Sequence, residues 1–244
     1  MANAIIMENR QEKLDLREFG APVNGESQVS DRRLFLQLQV FSGCKNPAAL
    51  IEVLETNGVG SVLYDDLNDP TGIGLLLIAE EPTDILTQTR VLLMNSGFSN
   101  LDHCSEMTMI GRTYASGREQ NLNEALFEKP LRNVMNPEMP WAIWYPLRRK
   151  PEFYLLSGAE QGRILGEHGM LGRTYAEMGY AADVRLACFG LDRLDNEFVI
   201  GLVGPELYAL SRLVQDMRKT QQTGKYIESL GPFFVGKVRW QSAS

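Results

Sequence analysis

Histidine and cysteine are scarce in this sequence of 244 residues. The three cysteines (Cys44, Cys104 and Cys188) are odd in number and form no CxxC pair. This argues against a disulfide framework or a zinc ribbon and is typical of a reducing compartment. The only two histidines are His103 and His168, so any chemistry that needs an imidazole must use one of them.

Long apolar runs and an excess of basic residues are also missing. The longest apolar run, residues 72–79, is far shorter than the roughly 20 residues that span a bilayer. The N-terminus carries acids and glutamine where a signal peptide has a continuous apolar region. The formal net charge is −7, whereas a nucleic-acid-binding protein needs a basic face to displace counterions. We therefore expect a cytoplasmic protein with no membrane span and no nucleic-acid partner.

The chain contains a repeated order of predicted elements. Apolar periodicity predicts strand, helix, strand, strand, helix, strand over residues 32–115, with the last strand at 104–114, and again over 141–244. Residues 65–82 and residues 191–206 share the same sequence of features. Each segment has an acidic turn, then a strand with the residues IGL, then the start of a helix that contains an acidic residue and a proline. These features predict an α+β fold of two ferredoxin-like βαββαβ units. Residues 1–31 are interpreted as an N-terminal arm and 116–140 as a connecting segment.

The first helix of the second unit has a spacing that singles out one histidine. Ser157 and Glu160 have the spacing of a capping box and predict a helix over 157–177. Ile164, His168, Leu171 and Tyr175 share one face of it, which we expect to be buried. Beside them runs a stripe of small residues: Gly162, Gly166, Gly169 and Gly172 or Ala176. Each glycine inside a helix lowers the stability of the helix by about 1 kcal/mol relative to alanine.

The glycine stripe predicts that something approaches this helix closely, either a sheet or a flat cofactor. A buried histidine with one nitrogen facing open space is a natural iron ligand. The alternative is a core histidine whose two nitrogens are both satisfied by neighbours. His103 lies in the polar segment NLDHCSE and is expected at the surface.

Five segments of the second half occur in a recognisable order: WYPLRRK (144–150), EHGMLGRTYA (167–176), GLD (190–192), MRKTQQTGKY (217–226) and GPFFVGK (231–237). In this order they resemble the chlorite dismutase superfamily, and most of all its coproheme decarboxylase branch. The resemblance covers residues 130–240, and the first half shares only the predicted topology. It implies two ferredoxin-like units fused into an α+β barrel that commonly forms a homopentamer.

The same resemblance implies an iron porphyrin, either haem b or iron coproporphyrin III, against the inner face of the second unit's sheet. His168 would be the proximal iron ligand. Tyr145 matches the tyrosine of the family's Y-P-M-x-K motif, which in the decarboxylases lies near a substrate propionate and passes through a radical. Without the motif, Tyr145 is equally a tyrosine packing at a strand end. The family positions that bind propionates correspond to Arg132, Arg149, Lys150, Arg218 and Thr223.

Several positions depart from the family pattern. The motif methionine is Leu147, the motif lysine is Arg149 with Lys150 beside it, and Phe153 replaces a tryptophan. The distal position, an arginine in chlorite dismutases and often a glutamine in decarboxylases, is Asp183, with Arg185 two residues later on the same strand face. Asp183 would accept a proton from peroxide, whereas Arg185 would stabilise a developing anion, and the sequence leaves both open.

Three functions are compatible with these residues. The first is peroxide-dependent decarboxylation of coproheme to haem b through a tyrosine radical. The second is a haem peroxidase, or a chlorite dismutase-like enzyme that converts chlorite to chloride and dioxygen. The third is a porphyrin-binding protein without catalysis. In the first two, the substrates are small molecules, namely peroxide, coproheme or chlorite.

Overall fold

A computed structural model describes residues 14–58, 60–95 and 97–242 of the chain. The first 13 residues of the predicted N-terminal arm therefore lie outside the described residues. The rest of the arm forms a small antiparallel pair, β1 (Glu18–Phe19) and β2 (Val29–Ser30). Glu18 fastens it to the body of the protein, because its carboxylate accepts hydrogen bonds from Arg112 Nη1 (2.8 Å) and the Ala115 amide (2.9 Å).

The first unit contains, in order, β3 (Phe35–Ser42), α1 (Pro47–Asn57), β4 (Ser61–Asp66), β5 (Ile73–Ala79), α2 (Pro82–Asn95), β6 (Asp102–His103) and β7 (Met109–Arg112). Its main strands lie in the order β7-β3-β5-β4, which is the arrangement of a ferredoxin-like unit. The strand predicted at 104–114 was too long. Residues Ser105–Met107 form a 3₁₀ turn instead, because the Cys104 and Ser105 carbonyls accept from amides three residues later.

The segment between the units contains a π-helical turn (Glu124–Glu128) and α3 (Lys129–Val134). The second unit follows with β8 (Trp141–Arg149), α4 (Gly158–Glu177), β9 (Ala182–Ala187), β10 (Phe198–Gly204), α5 (Leu207–Met217), a π-helical turn (Gln222–Tyr226), β11 (Ile227–Leu230) and β12 (Phe234–Gln241). The predicted capping box is confirmed at the start of α4: Ser157 Oγ accepts from the Glu160 amide and Glu160 accepts from the Ser157 amide.

The two units exchange strand pairings and close a barrel. The fourth strand of each unit pairs with the second strand of the other: β7 pairs with β9 through Arg112 and Ala187, and β12 pairs with β4 from Gly236–Asp66 to Gln241–Val62. Since β8 also pairs with β10, the described strands form the closed ring β9-β7-β3-β5-β4-β12-β8-β10. The predicted fold of two fused ferredoxin-like units in an α+β barrel is therefore confirmed.

The interior of the barrel is filled with side chains. Trp144, Tyr64 and Phe234 are fully buried there among leucines and valines of both units. The glycines of the two IGL segments make room for two of these rings: a Cβ on Gly201 would lie 2.6 Å from the Trp144 ring, and one on Gly74 would collide with the Phe234 ring. The expected porphyrin position against the inner face is therefore wrong, because that space is packed. The other face of the second sheet lies beneath α4 and α5.

None of the helices among the described residues combines the length and the apolar character needed to cross a bilayer.

Candidate functional site

The helix-covered face of the second sheet brings Tyr145 and Arg185 into one row. Tyr145 of β8 lies opposite Ile200 of β10, and Ile200 lies opposite Arg185 of β9. With adjacent strands about 4.8 Å apart, the two backbones are separated by about 10 Å. The neighbouring row is Ile143, Leu202 and Asp183. Ile143, Tyr145 and Leu147 alternate along β8 and belong to one apolar cluster on this face.

Tyr145 lies in an apolar setting with a free hydroxyl. Its side chain is 9% exposed, and its ring stacks on Phe233 with centroids 4.7 Å apart. Burial raises the pKa of Tyr145, as does the negative charge of Asp183, while Arg218 opposes them. Among the described residues the hydroxyl has no hydrogen-bond partner. Tyr145 is thus a neutral phenol whose polar atom is available to an incoming group.

His168 is half-buried on the face of α4 that turns toward this sheet. Ile164 is buried, and Leu171 and Tyr175 pack against the cluster that contains Tyr145. Nδ1 of His168 lies 3.2 Å from Thr220 Oγ1, and Nε2 has no partner within the part of the chain that the structure describes. Burial lowers the pKa of His168 to about 4, with further lowering by Arg149 and Arg185. The imidazole is therefore neutral at pH 7, which is its metal-binding form.

The glycine stripe of α4 does not contact a sheet. An added Cβ would meet nothing within 4 Å at Gly166 or Gly169, and only Arg118 Nη2, at 4.0 Å, at Gly162. Only at Gly172 is there a tight neighbour, Met217 Cε at 3.3 Å. The first alternative, a sheet packed against the stripe, is therefore wrong. Gly162, Gly166 and Gly169 lie 100° or more around the helix from His168, at about 100° per residue.

Asp183 is held between two cations. Its carboxylate lies 3.0 Å from Arg185 Nε and 3.2 Å from Lys129 Nζ. Burial alone would raise the pKa of Asp183, but Arg185 and Lys129 outweigh it and the pKa is lowered. A general base works best when its pKa is near the working pH, so this doubly paired carboxylate is a weak proton acceptor.

The predicted propionate-binding residues divide into two groups. The Arg149 guanidinium lies over Phe153 (4.9 Å) and Phe198 (4.6 Å), and its buried Nε has no hydrogen-bond partner. Arg218 is close enough to affect the pKa of Tyr145, and Thr223 Oγ1 lies 3.5 Å from Thr220 Oγ1.

The structure does not bring Arg132 or Lys150 to these groups. Arg132 pairs with Glu124 at 2.6 Å. Lys150 is exposed, and its backbone makes the hydrogen bonds described for it: its amide donates to the Tyr226 carbonyl and its carbonyl accepts from the Phe153 amide. His103 is exposed as predicted, with Nε2 3.2 Å from Thr108 Oγ1.

Sequence reasoning missed four residues around the site: Lys129, Asn133, Thr220 and Tyr114. The Asn133 amide donates to the Asp183 carbonyl at 2.9 Å. The Tyr114 ring packs against Phe198 with centroids 5.7 Å apart, and Arg185 and Arg149 lie near enough to affect its pKa, which burial raises. Of these four residues, only Thr220 lies in one of the family-like segments, MRKTQQTGKY. The others come from elements outside the second unit.

The residues around His168 fit an iron porphyrin. A neutral imidazole offers Nε2, Arg149 Nε is a buried donor without an acceptor, and the Tyr145 hydroxyl is unpaired. The wall between them is apolar, formed by Ile143, Ile200, Leu202 and Phe233. An axial nitrogen, an apolar surface and cationic edge groups are what an iron porphyrin with propionates requires.

Fold and site together define an α+β barrel made of two ferredoxin-like units of one chain. A single histidine of α4 turns toward the sheet of the second unit. The chlorite dismutase family model matches residues 86–239, more than half of the chain, and the chain therefore belongs to the chlorite dismutase family. A coproheme decarboxylase of Mycolicibacterium smegmatis is 36% identical over 95 residues. This match spans 38% of the chain and 37% of that relative. The resemblance to the coproheme decarboxylase branch is thereby confirmed.

Solved structures of similar fold agree. A heme-binding protein from Thermus thermophilus has a TM-score of 0.66 at 20% identity, covering 85% of this chain and 91% of that one. A chlorite dismutase from Candidatus Nitrospira defluvii, solved with imidazole, has a TM-score of 0.64 at 15% identity, covering 86% and 93%. At these identities the likeness concerns the fold.

Proposed function

We propose that this chain binds an iron porphyrin through His168 Nε2 and decarboxylates iron coproporphyrin III with peroxide, giving haem b. The observation that carries the proposal is the shared layer between sheet and helices, in which a neutral imidazole with a free nitrogen accompanies a neutral phenol with a free hydroxyl. The partial relative that is a coproheme decarboxylase supports it. The second unit, residues 141–244, would supply most of the site.

The bound iron porphyrin would supply the oxidising equivalents of peroxide. For each propionate the reaction balances as R–CH₂CH₂–COO⁻ + H₂O₂ + H⁺ → R–CH=CH₂ + CO₂ + 2 H₂O. Tyr145 would give one electron to these oxidising equivalents and its hydroxyl proton to water, and it would then regain a hydrogen atom from the propionate. The second electron of the substrate would go to the remaining oxidising equivalent as the bond to the carboxylate breaks and CO₂ leaves. Because the pKa of Tyr145 is raised, the phenol stays protonated until it gives up its electron.

Other residues orient the substrate in this proposal. Arg149, with an unpaired donor, and Arg218 offer charge to the carboxylates, and Thr223 offers a hydroxyl. Arg185 is the residue of the distal pair that we assign to stabilising developing negative charge, since Asp183 is a weak base. Asp183 would then orient Arg185. Arg132 and Lys150, which lie outside these contacts, are not needed for this scheme.

The direct test incubates the protein with iron coproporphyrin III and peroxide and follows the porphyrin by mass spectrometry. We expect stepwise loss of two CO₂ with their hydrogens, and loss of this turnover in Tyr145→Phe. Tyr208→Phe is the matched control, because Tyr208 is 74% exposed on α5. No mass loss, or equal turnover in Tyr145→Phe and the control, would overturn the proposal.

A haem peroxidase or chlorite dismutase-like activity is a second candidate, favoured by the Arg185 guanidinium in the same row as Tyr145. Dioxygen release from chlorite that disappears in Arg185→Ala would establish it. A porphyrin-binding protein without catalysis is the third candidate, and it predicts a Soret band with neither activity. A chain that develops no Soret band on reconstitution binds no haem.

We also propose that the chain works in the cytoplasm as a homopentamer. Free thiols at Cys44, Cys104 and Cys188 support a reducing compartment. Sedimentation equilibrium of the purified protein tests the assembly, and a mass other than five chains would contradict it.

A further inference from the structure

Thr220 is the described hydrogen-bond partner of His168. It lies just after α5 ends at Met217 and just before the π-helical turn Gln222–Tyr226, and it is 5% exposed. Its Oγ1 lies 3.2 Å from His168 Nδ1. Thr220 shares the segment MRKTQQTGKY with Arg218 and Thr223.

The single hydroxyl proton of Thr220 determines the direction of this hydrogen bond. Oγ1 lies 2.7 Å from the Met217 carbonyl oxygen and 3.5 Å from Thr223 Oγ1. The shorter distance is that of a good O–H···O bond, whereas the longer one is at the limit, so the proton points to Met217. Oγ1 is then left as an acceptor, and the atom that donates to it is His168 Nδ1–H. The imidazole thus carries its proton on Nδ1, and its lone pair is on Nε2.

The acidic neighbour of His168 does not compete for this nitrogen. Glu167 precedes His168 on α4, and its Oε2 accepts from the Gln221 amide at 3.2 Å. The described acceptor at His168 Nδ1 is therefore a neutral hydroxyl and not a carboxylate. A carboxylate would pull the Nδ1 proton strongly and make the imidazole a stronger donor to iron, whereas a hydroxyl orients it with little added charge.

We propose that Thr220 is a positioning residue that fixes His168 in its Nδ1–H tautomer and directs Nε2 toward the iron. This rests on the proposed function, in which His168 is the axial ligand. Groups that bond the second nitrogen of a metal-bound histidine set its tautomer and ring orientation, and their loss costs about 10- to 100-fold in metal affinity or activity.

The experiment begins with the protein before porphyrin is added. With only two histidines, ¹⁵N-histidine labelling gives two imidazoles, and a His103→Asn variant assigns them. We expect His168 to show a protonated Nδ1 and a bare Nε2 in the wild type and in Thr220→Ser. Thr220→Val, of nearly the same shape but without the hydroxyl, should lose this preference. Thr174→Val is the control, since Thr174 Oγ1 donates only to the Met170 carbonyl of its own helix.

The second stage loads each variant with haem. We expect Thr220→Val to bind haem about 10- to 100-fold more weakly, with a lower iron–histidine stretching frequency, and Thr220→Ser to recover both. An Nε2–H tautomer in the wild type, or an unchanged tautomer in Thr220→Val, overturns the proposal whether or not haem binds. If the tautomer responds but the wild type binds no haem, the proposed function fails, and the role of Thr220 toward iron fails with it.

Discussion

Replacing Gly201 with alanine tests the packing that keeps the barrel interior closed. Gly201 of β10 lies directly opposite Trp144 of β8, and a Cβ there would approach two carbon atoms of the indole ring to 2.6 Å and a third to 2.9 Å. Ordinary contacts between carbon atoms are about 3.5–4.0 Å, so the ring must move by about 1 Å. Trp144 is fully buried and packed in the same core as Tyr64 and Phe234, which leaves it little room.

The expected cost of Gly201→Ala is the cost of overpacking, about 1–3 kcal/mol of the free energy of unfolding. Gly166→Ala is the matched control with the opposite sign. A Cβ at Gly166 of α4 would meet nothing within 4 Å, and alanine is better than glycine inside a helix by about 1 kcal/mol. The same chemical change is thus expected to destabilise one site and stabilise the other.

Urea unfolding of the porphyrin-free protein, followed by far-UV circular dichroism and tryptophan fluorescence, measures both variants. A common m-value and coincident transitions are required before the free energies are compared. A Gly201→Ala variant as stable as the wild type would refute the packing of Trp144 described above. A Gly166→Ala variant that loses stability would show that the open side of α4 is covered.

The remaining predictions concern α4, the histidine and the distal pair. Ser157→Ala removes the capping box of α4 and should cost about 1 kcal/mol in urea unfolding, whereas Ser116→Ala in a loop serves as a comparison. The pKa of His168 is 6.5 in the unfolded chain and about 4 in the folded protein, so as the pH falls the imidazole is protonated first in the unfolded chain. The free energy of unfolding of the porphyrin-free protein should therefore decline from pH 6.5 toward pH 4. The His168→Asn variant should lack this part of the decline. Asp183→Asn should change the free energy of unfolding by less than about 1 kcal/mol, because the ion pairs of Asp183 with Lys129 and Arg185 are partly exposed. The same variant should lower peroxide-dependent turnover, because Arg185 loses the carboxylate that orients it. Unchanged turnover would show that Asp183 does not orient Arg185.

Local patterns in the sequence predict much of the fold. Alternation at Leu36, Leu38 and Val40 marks β3, and the capping box at Ser157 marks the start of α4. The IGL echo predicts the duplication, and the structure gives its physical reason: Gly74 and Gly201 each make room for an aromatic ring in the barrel.

Long-range features are absent from such patterns. The exchange of strand pairings between the units depends on how the sheet closes. Nothing local in the polar segment 105–107 distinguishes a 3₁₀ turn from a strand, and the turn at 222–226 gives no periodic signal. The glycines of α4 do not mark a neighbouring sheet, since small residues at a helix surface look alike whether they face a strand or open space.

For the site, the sequence motifs marked Tyr145 and His168. In the structure both lie in the layer between the second sheet and the helices that cover it. Lys129 is 54 residues from Asp183 and comes from α3, so only the folded chain brings them together. The direction of the Thr220 hydrogen bond likewise follows from the Met217 carbonyl, a backbone atom that no motif shows.

Titration of the porphyrin-free chain with iron porphyrin, followed by absorption spectroscopy, tests His168 as the iron ligand most directly. We expect a Soret band that saturates at one porphyrin per chain in the wild type and in His103→Ala, and that is lost or strongly weakened in His168→Ala. Binding that is the same in His168→Ala as in His103→Ala would contradict the assignment of His168 as the iron ligand.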